Sequence, residues 1–422
     1  MHFDIEQITT QFLADKRLKA DPLADQVIQN IIENGSQEEV NKVLGTLMRN
    51  HDYSESHFEG LDSHIKNAVV GYFAESHSLP TWADRTLIDK GQEVFSLYGP
   101  EIFMLLNVKS LPLCYTCAKG AKVLFTTGRL HESGSDIDPL ARRLMETAQM
   151  VTNVLSPGSF SEDGNGVVTI QKIRLIHASI RYYLKSKIEW DIQELGEPIN
   201  QEDLAGTLMS FAPVILSGLK KLNIDFTEEQ EAGYSHIWKV IGYLMGLDED
   251  LLPDTFQDGR NLAIKILQHQ SAFSEDGVQL TTSCINFLKY LIPGNKFDSI
   301  PEYMIWYFMQ DLSEDAGLDL SSMIGVHDHK DMTSKTVTFI IRLLVGEVDN
   351  IQDHSKLMRH LSGRFNKILL QGIIAHFNKG KNVHFYIPPS LQKNWKLDEE
   401  WVDRKVITPN ILGNRLAWQQ KK

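Results

Sequence analysis

Apolar residues recur every three or four positions along most of this chain. HIKNAVVGYFAES, LIDKGQEVFSLYGPEIFMLLN, PLARRLMETAQMVTNVL, QKIRLIHASIRYYLKSKIEW, LAGTLMSFAPVILSGLKKL and EEQEAGYSHIWKVIGYLMGL all carry them at i, i+3, i+4 and i+7. That spacing lines one face of a helix, so each segment predicts an amphipathic helix. Start signals agree with the pattern. Asp136 and Asp138 precede Pro139, which is tolerated in a first turn, and Asn200 to Asp203 set a cap and two carboxylates before Leu204. Turn formers break the periodicity at SPGSFSEDGNG (156–166), LGEPI (195–199) and LIPGNKFDS (291–299). The run VVTI near 167 fits either a strand or the first turn of the helix after it.

The pattern predicts an all-α fold built as a single large helical domain. An N-terminal helical extension occupies 1–60, the core 61–300, and a C-terminal helical region with an irregular tail from Asn378 occupies 301–422. Hydrophobic residues at 42% and charged residues at 23% give the balance of a soluble globular protein, with enough core to bury a large ligand. A net charge of −13 excludes a general electrostatic grip on nucleic acid. Only Cys114, Cys117 and Cys284 are present, too few for a disulfide framework. No apolar leader or membrane-length apolar run appears, so a cytoplasmic location is expected.

The helix segment KIRLIHASIR places His177 with Arg174 at i−3 and Arg181 at i+4, on one side of the helix. Neutral imidazole is the usual ligand of a haem iron, and guanidinium suits the haem carboxylates. The alternative is a buried histidine bonded to a carbonyl, with both arginines reaching outward. On the preceding helix Arg143, Glu146, Thr147 and Met150 share a stripe, which suits either a polar pocket wall or a solvated face. His236 is a second possible iron ligand, and Gly206 and Gly242 would permit close helix packing or the approach of a flat ligand. Cys114-Tyr-Thr-Cys117 lacks the further ligands of a zinc site and reads as packing. His327-Asp-His329 suits a loop metal clip. No nucleophile elbow, phosphate loop or dinucleotide fingerprint occurs, and no CxxCH, so any haem is held non-covalently.

Taken in order, SLPLCYTCAKGAKVLFTTGRL, ARRLMETAQMVTNVLSPGSF, KIRLIHASIRYYL, W…GEPINQEDLAGTLMSF and GYSHIWKVIGYLMGL resemble the haem b oxygenase family that includes latex clearing protein, a rubber oxygenase. The fungal oxygenase of mycophenolic acid biosynthesis, which cleaves a prenyl chain, belongs to the same family. The resemblance runs from about Leu79 to Pro253. It implies a globin-like pocket for haem b (iron protoporphyrin IX) with one proximal histidine, matched by His177 as metal ligand. Arg143 and Thr147 match the Arg-x-x-x-Thr pair beside the haem. Arg181, and with less support Arg174, match positions near its propionates. Where latex clearing protein has a lysine before the pocket threonine, this chain has Glu146, which implies an open or water-occupied distal side and offers a carboxylate base. The implied reaction is cleavage of a C=C bond in an apolar or isoprenoid molecule with O₂, catalysed with Arg143, Thr147 and Glu146. A haem protein of peroxidase-like or gas-binding type, or a helical interaction module that has lost its cofactor, stands as the alternative.

Overall fold

The computed structural model of the chain describes residues 3–35, 54–127, 138–291, 300–327 and 387–395, with the single positions 38, 39, 42, 43, 45, 46 and 370 besides. Its helices start where short polar side chains can take up orphan amides. The Thr9 hydroxyl accepts the Phe12 amide at the head of α1 (Thr10–Lys16). The Asp21 carboxylate caps α2 (Pro22–Asn34), with Pro22 in the first turn where its missing N–H costs nothing. Then come α3 (Ser63–Glu75) and α4 (Arg85–Leu105), which runs through a π turn at Leu106–Ser110 into α5 (Leu111–Thr116) and α6 (Ala118–Thr126). The middle of the chain forms α7 (Asp138–Leu155), α8 (Gly166–Lys187), α9 (Gln201–Phe211), α10 (Pro213–Lys221) and α11 (Glu228–Leu244). The last long helices are α12 (Phe256–Gln270), α13 (Glu275–Leu291) and α14 (Ile300–Ala316). No strand occurs among the described residues, where one antiparallel bridge joins Cys117 and Ser271, and the fold is all-α.

Two prolines explain where helices depart from the sequence pattern. LAGTLMSFAPVILSGLKKL reads as one helix but divides at Ala212 (φ −99°, ψ −91°), because Pro213 drives the residue before it out of the helical region. Pro100 lies inside α4, which bends at Tyr98 (φ −125°, ψ 20°). A proline at 100 cannot donate to the Ser96 carbonyl; the Trp395 indole N–H fills that vacancy at 3.1 Å. The indole lies edge-on to Phe95 and Phe103, against Gly99, where a Cβ would lie 2.0 Å from the ring. Of the tail expected from Asn378, only this part, 387–395, falls among the described residues. VVTI belongs to α8, so the strand alternative is set aside.

The chain forms two compact units, each drawn from separated segments. One comprises Met1–Glu93, Met150–Ala212 and Glu228–His269, and the other Val94–Gln149, Pro213–Thr227 and Gln270–Lys422. In the first unit α2 packs on α8 and α3. Val27 and Ile31 of α2 meet Val69 and Tyr72 of α3 and Leu175 and Ala178 of α8, all buried. Each such aliphatic side chain contributes roughly 1.5–3 kcal/mol relative to exposure. The Tyr72 hydroxyl donates to the Gln171 carbonyl, and the Gln171 amide donates to the Phe73 carbonyl, both at 2.8 Å. The N-terminal segment is therefore part of the core around α8. In the second unit the fully buried Lys109 ammonium, carried by the π turn, donates to both oxygens of Asp311 at 2.8 and 2.7 Å.

Candidate functional site

Helix α8 carries an aliphatic stripe, Ile170, Ile173, Ile180 and Leu184, interrupted by a single polar group, His177. At 100° per residue these five side chains fall within one side of the helix. Ile170 and Leu184, at the ends, are fully buried, whereas Ile173, His177 and Ile180 in the middle are half-buried. Burial thus lapses around the imidazole. A flat apolar ligand with a group that binds nitrogen would find both a donor and an aliphatic surface there.

The two flanking arginines turn toward α2, and they differ. Arg174, 8% exposed, donates from Nε and Nη2 to the two oxygens of Asp21, each at 2.8 Å, and from Nη1 to the Leu244 carbonyl at 3.0 Å. Burial alone would lower its pKa, but the bonds and charge of Asp21 hold it above the ordinary value. Every guanidinium nitrogen is engaged, so the expected propionate role of Arg174 gives way to an internal ion pair. Arg181, 1% exposed, is held only in part. Its Nε donates to Asp25 Oδ1 at 2.6 Å and its Nη1 reaches the Ile199 carbonyl at 3.4 Å. Its Nη2 is buried without a hydrogen-bond partner among the described residues. A buried donor left unmade costs about 1–3 kcal/mol, more when charged. An anionic oxygen would satisfy it. His177 and Arg181 therefore fit a haem, as a nitrogen ligand and a carboxylate partner one turn apart. Burial, which outweighs the opposing Arg181 charge, raises the Asp25 carboxyl above the usual carboxylate range.

On α7 a buried ridge of Leu144, Ala148, Val151 and Leu155 holds the helix. Glu146, Thr147 and Met150 beside it are half-buried, a stripe intermediate between pocket wall and solvated face. The backbone of Arg143 is helical and its side chain lies outside the described residues. Glu146 and Thr147 belong to the second unit; His177, Arg174 and Arg181 belong to the first. The structure pairs Arg174 and Arg181 of α8 with Asp21 and Asp25. Nothing in the sequence pattern singled out those two aspartates, whose four-residue spacing on α2 is visible only once α8 is known to lie beside them.

The other sequence candidates have structural work. His236 Nε2 accepts the Asp84 amide at 2.8 Å, capping α4, and burial lowers its pKa, with the nearby Lys239 charge acting in the same direction. That nitrogen is already engaged by the backbone. Asn200 caps α9 through the Asp203 amide at 2.9 Å, as expected. The neighbouring Glu202 is fully buried, close to Arg17 at 3.3 Å and His269 Nδ1 at 2.6 Å, and burial outweighs both to raise its pKa. A Cβ on Gly242 would lie 2.5 Å from Leu208 Cδ2, so close packing explains that glycine; at Gly206 the nearest atom, of Ile266, is 3.2 Å away. Cys114 and Cys117 are half-buried at the end of α5 and are not joined in a disulfide. His327 is exposed just past the turn that follows Met323, and His329 lies outside the described residues.

Comparison with known proteins bears on this arrangement. The family described as ER-bound oxygenase mpaB/B′/Rubber oxygenase, catalytic domain, matches residues 110–311, which include α7, α8 and α9. The rubber oxygenase of Streptomyces sp. (strain K30) is 21% identical over 276 residues, 65% of this chain, and the match spans 64% of that relative's length. The structure of latex clearing protein LCP in the closed state aligns with a TM-score of 0.65 at 19% identity, over 89% of this chain and 95% of that one, a likeness of fold. Over residues 110–311, just under half of its length, this chain is similar to the mpaB/B′ and rubber oxygenase family.

Proposed function

We propose that this protein holds haem b and is an oxygenase that cleaves a carbon–carbon double bond in an apolar, isoprenoid-like molecule. One observation carries the reading: a half-buried imidazole set in an aliphatic stripe, one turn from the buried Nη2 of Arg181, which has no hydrogen-bond partner among the described residues. Haem b, when bound, supplies a redox-active iron at which O₂ chemistry becomes accessible. His177 would ligate that iron through a ring nitrogen, and Arg181 would neutralise a haem carboxylate. Ile173 and Ile180 would pack the flat face and keep water from it. From the family resemblance, Arg143 and Thr147 are assigned to orienting the oxygen substrate and Glu146 to accepting a proton from the organic one. Aliphatic surroundings favour an alkene over a polar substrate. Placing both atoms of O₂ in the two carbonyls that replace the C=C bond balances without an outside reductant. A cytoplasmic site of action accords with three cysteines, none of them in a disulfide.

Titration with haemin should give a saturable Soret band in the wild type, and His177→Ala should lose it. A variant that retains full occupancy and an unchanged spectrum refutes the ligand assignment. Incubation with isoprenoid alkenes should consume O₂ in proportion to the carbonyls formed and give none anaerobically. Products formed equally well without O₂, or O₂ uptake without carbonyls, would leave the oxygenase reading without support.

A further inference from the structure

Arg174 and Arg181 are seven residues apart on α8, and Asp21 and Asp25 four apart on α2, so the two pairs form successive rungs between the same helices. The rungs are built differently. Asp21 takes the Nε and Nη2 edge of Arg174 with both oxygens, the usual forked arrangement. Asp25 takes Arg181 through Nε alone, and the buried Nη2 on that same edge has no hydrogen-bond partner among the described residues. The third nitrogen, Nη1, is steadied from another direction by the carbonyl of Ile199. Ile199 has φ +52°, a left-handed conformation costly for a β-branched residue. Its neighbours fix it there: the Glu197 amide donates to the Arg17 carbonyl at 2.8 Å and the Gln201 amide to the Lys19 carbonyl at 2.9 Å. The loop thus spends backbone strain where its carbonyl meets Arg181.

We infer that Asp25 is a positioning residue: it grips Arg181 by Nε only, so that Nη2 is presented, already desolvated, to a carboxylate of the bound porphyrin. The inference rests on the haem reading above. It assigns Asp25 to anion recognition and Asp21 to folding, although the two look alike in sequence. Without the Asp25 charge, the guanidinium is free to swing onto other acceptors, and the pre-set donor is lost.

The test compares binding of haem with haem dimethyl ester, in which both carboxylates are masked, by Soret titration of the full chain. A charge-assisted bond of this kind corresponds to roughly tenfold in affinity or more, so the wild type should prefer haem by about that factor. Arg181→Gln should bind both porphyrins alike. Asp25→Asn should lose most of the preference, while Asp21→Asn should keep it even with a lower melting temperature. Full discrimination in Asp25→Asn overturns the inference and leaves the haem reading standing. So does a wild type that binds both porphyrins equally. A wild type that develops no Soret band with either porphyrin overturns both. Should Asp25→Asn fail to fold, Asp25→Glu carries the test. It keeps the charge but shifts it by a methylene, so a partial loss of about threefold or more is expected, and undiminished preference overturns the proposal.

Discussion

Replacing Asp21 by Asn removes one negative charge from the pair with Arg174 and little else. Asparagine caps a helix as well as aspartate does, so the start of α2 and the bond to the Ala24 amide persist. The volume is unchanged. What goes is the counter-charge of a guanidinium 8% exposed that cannot shed its proton. Breaking a buried pair from one side costs about 3–5 kcal/mol. Here the Asn oxygen still accepts one of the two 2.8 Å bonds and the Leu244 carbonyl keeps the third nitrogen, which points to the lower end, about 3 kcal/mol. Against a typical total of roughly 5–15 kcal/mol that is a large fraction. Urea unfolding followed by tryptophan fluorescence measures it, with Arg174→Met and the double variant completing a cycle. The double variant should recover much of the loss, since apolar groups tolerate the site once no charge remains. A cost below about 1 kcal/mol for Asp21→Asn, or losses that simply add in the double variant, refutes the reasoning.

Other sites give independent checks. Gly91→Ala would set a Cβ 2.6 Å from both the Gly233 carbonyl and Ile237 Cγ2, and should cost about 1–3 kcal/mol in a thermal melt. Gly71→Ala, on the exposed side of α3 with open space around it, should instead stabilise by up to about 1 kcal/mol. His236 must be neutral to accept the Asp84 amide and its folded pKa is depressed. Its contribution is therefore present above the ordinary histidine pKa and lost as pH falls through the lower folded value; unfolding midpoints should decline across that window and flatten in His236→Gln. Burial pushes the Asp311 carboxyl up, but Lys109, with Lys221 and the Ser217 hydroxyl, outweighs it and holds the pKa at about 2. The stability this carboxylate gives is thus present above the ordinary aspartate range and fades toward pH 2. Asp311→Asn, which strands the buried Lys109 charge, should cost about 3–5 kcal/mol at neutral pH by urea titration.

The helices were legible because their determinants are local. Periodic apolar positions specify which face turns inward, and Asp21, Asn200 and Pro22 act on amides within a turn of themselves. The breaks at Ala212 and Tyr98 are also local consequences of Pro213 and Pro100, readable in principle though masked by strong flanking periodicity. His177 stood out for the same reason, as one polar residue in an aliphatic stripe.

Charge pairing was not legible, because it depends on which helices become neighbours. Arg174 and Arg181 are equivalent in sequence, yet their partners lie 153 and 156 residues away on α2. Only that packing saturates the first guanidinium and leaves a nitrogen of the second open. Glu202 likewise reads as one more carboxylate in a helix cap until Arg17 and His269 close over it. The chain by itself determined an all-α fold and a histidine worth testing. The tertiary structure decided which arginine is committed to folding and which has a donor to spare, since desolvation and partner choice arise only when distant segments meet.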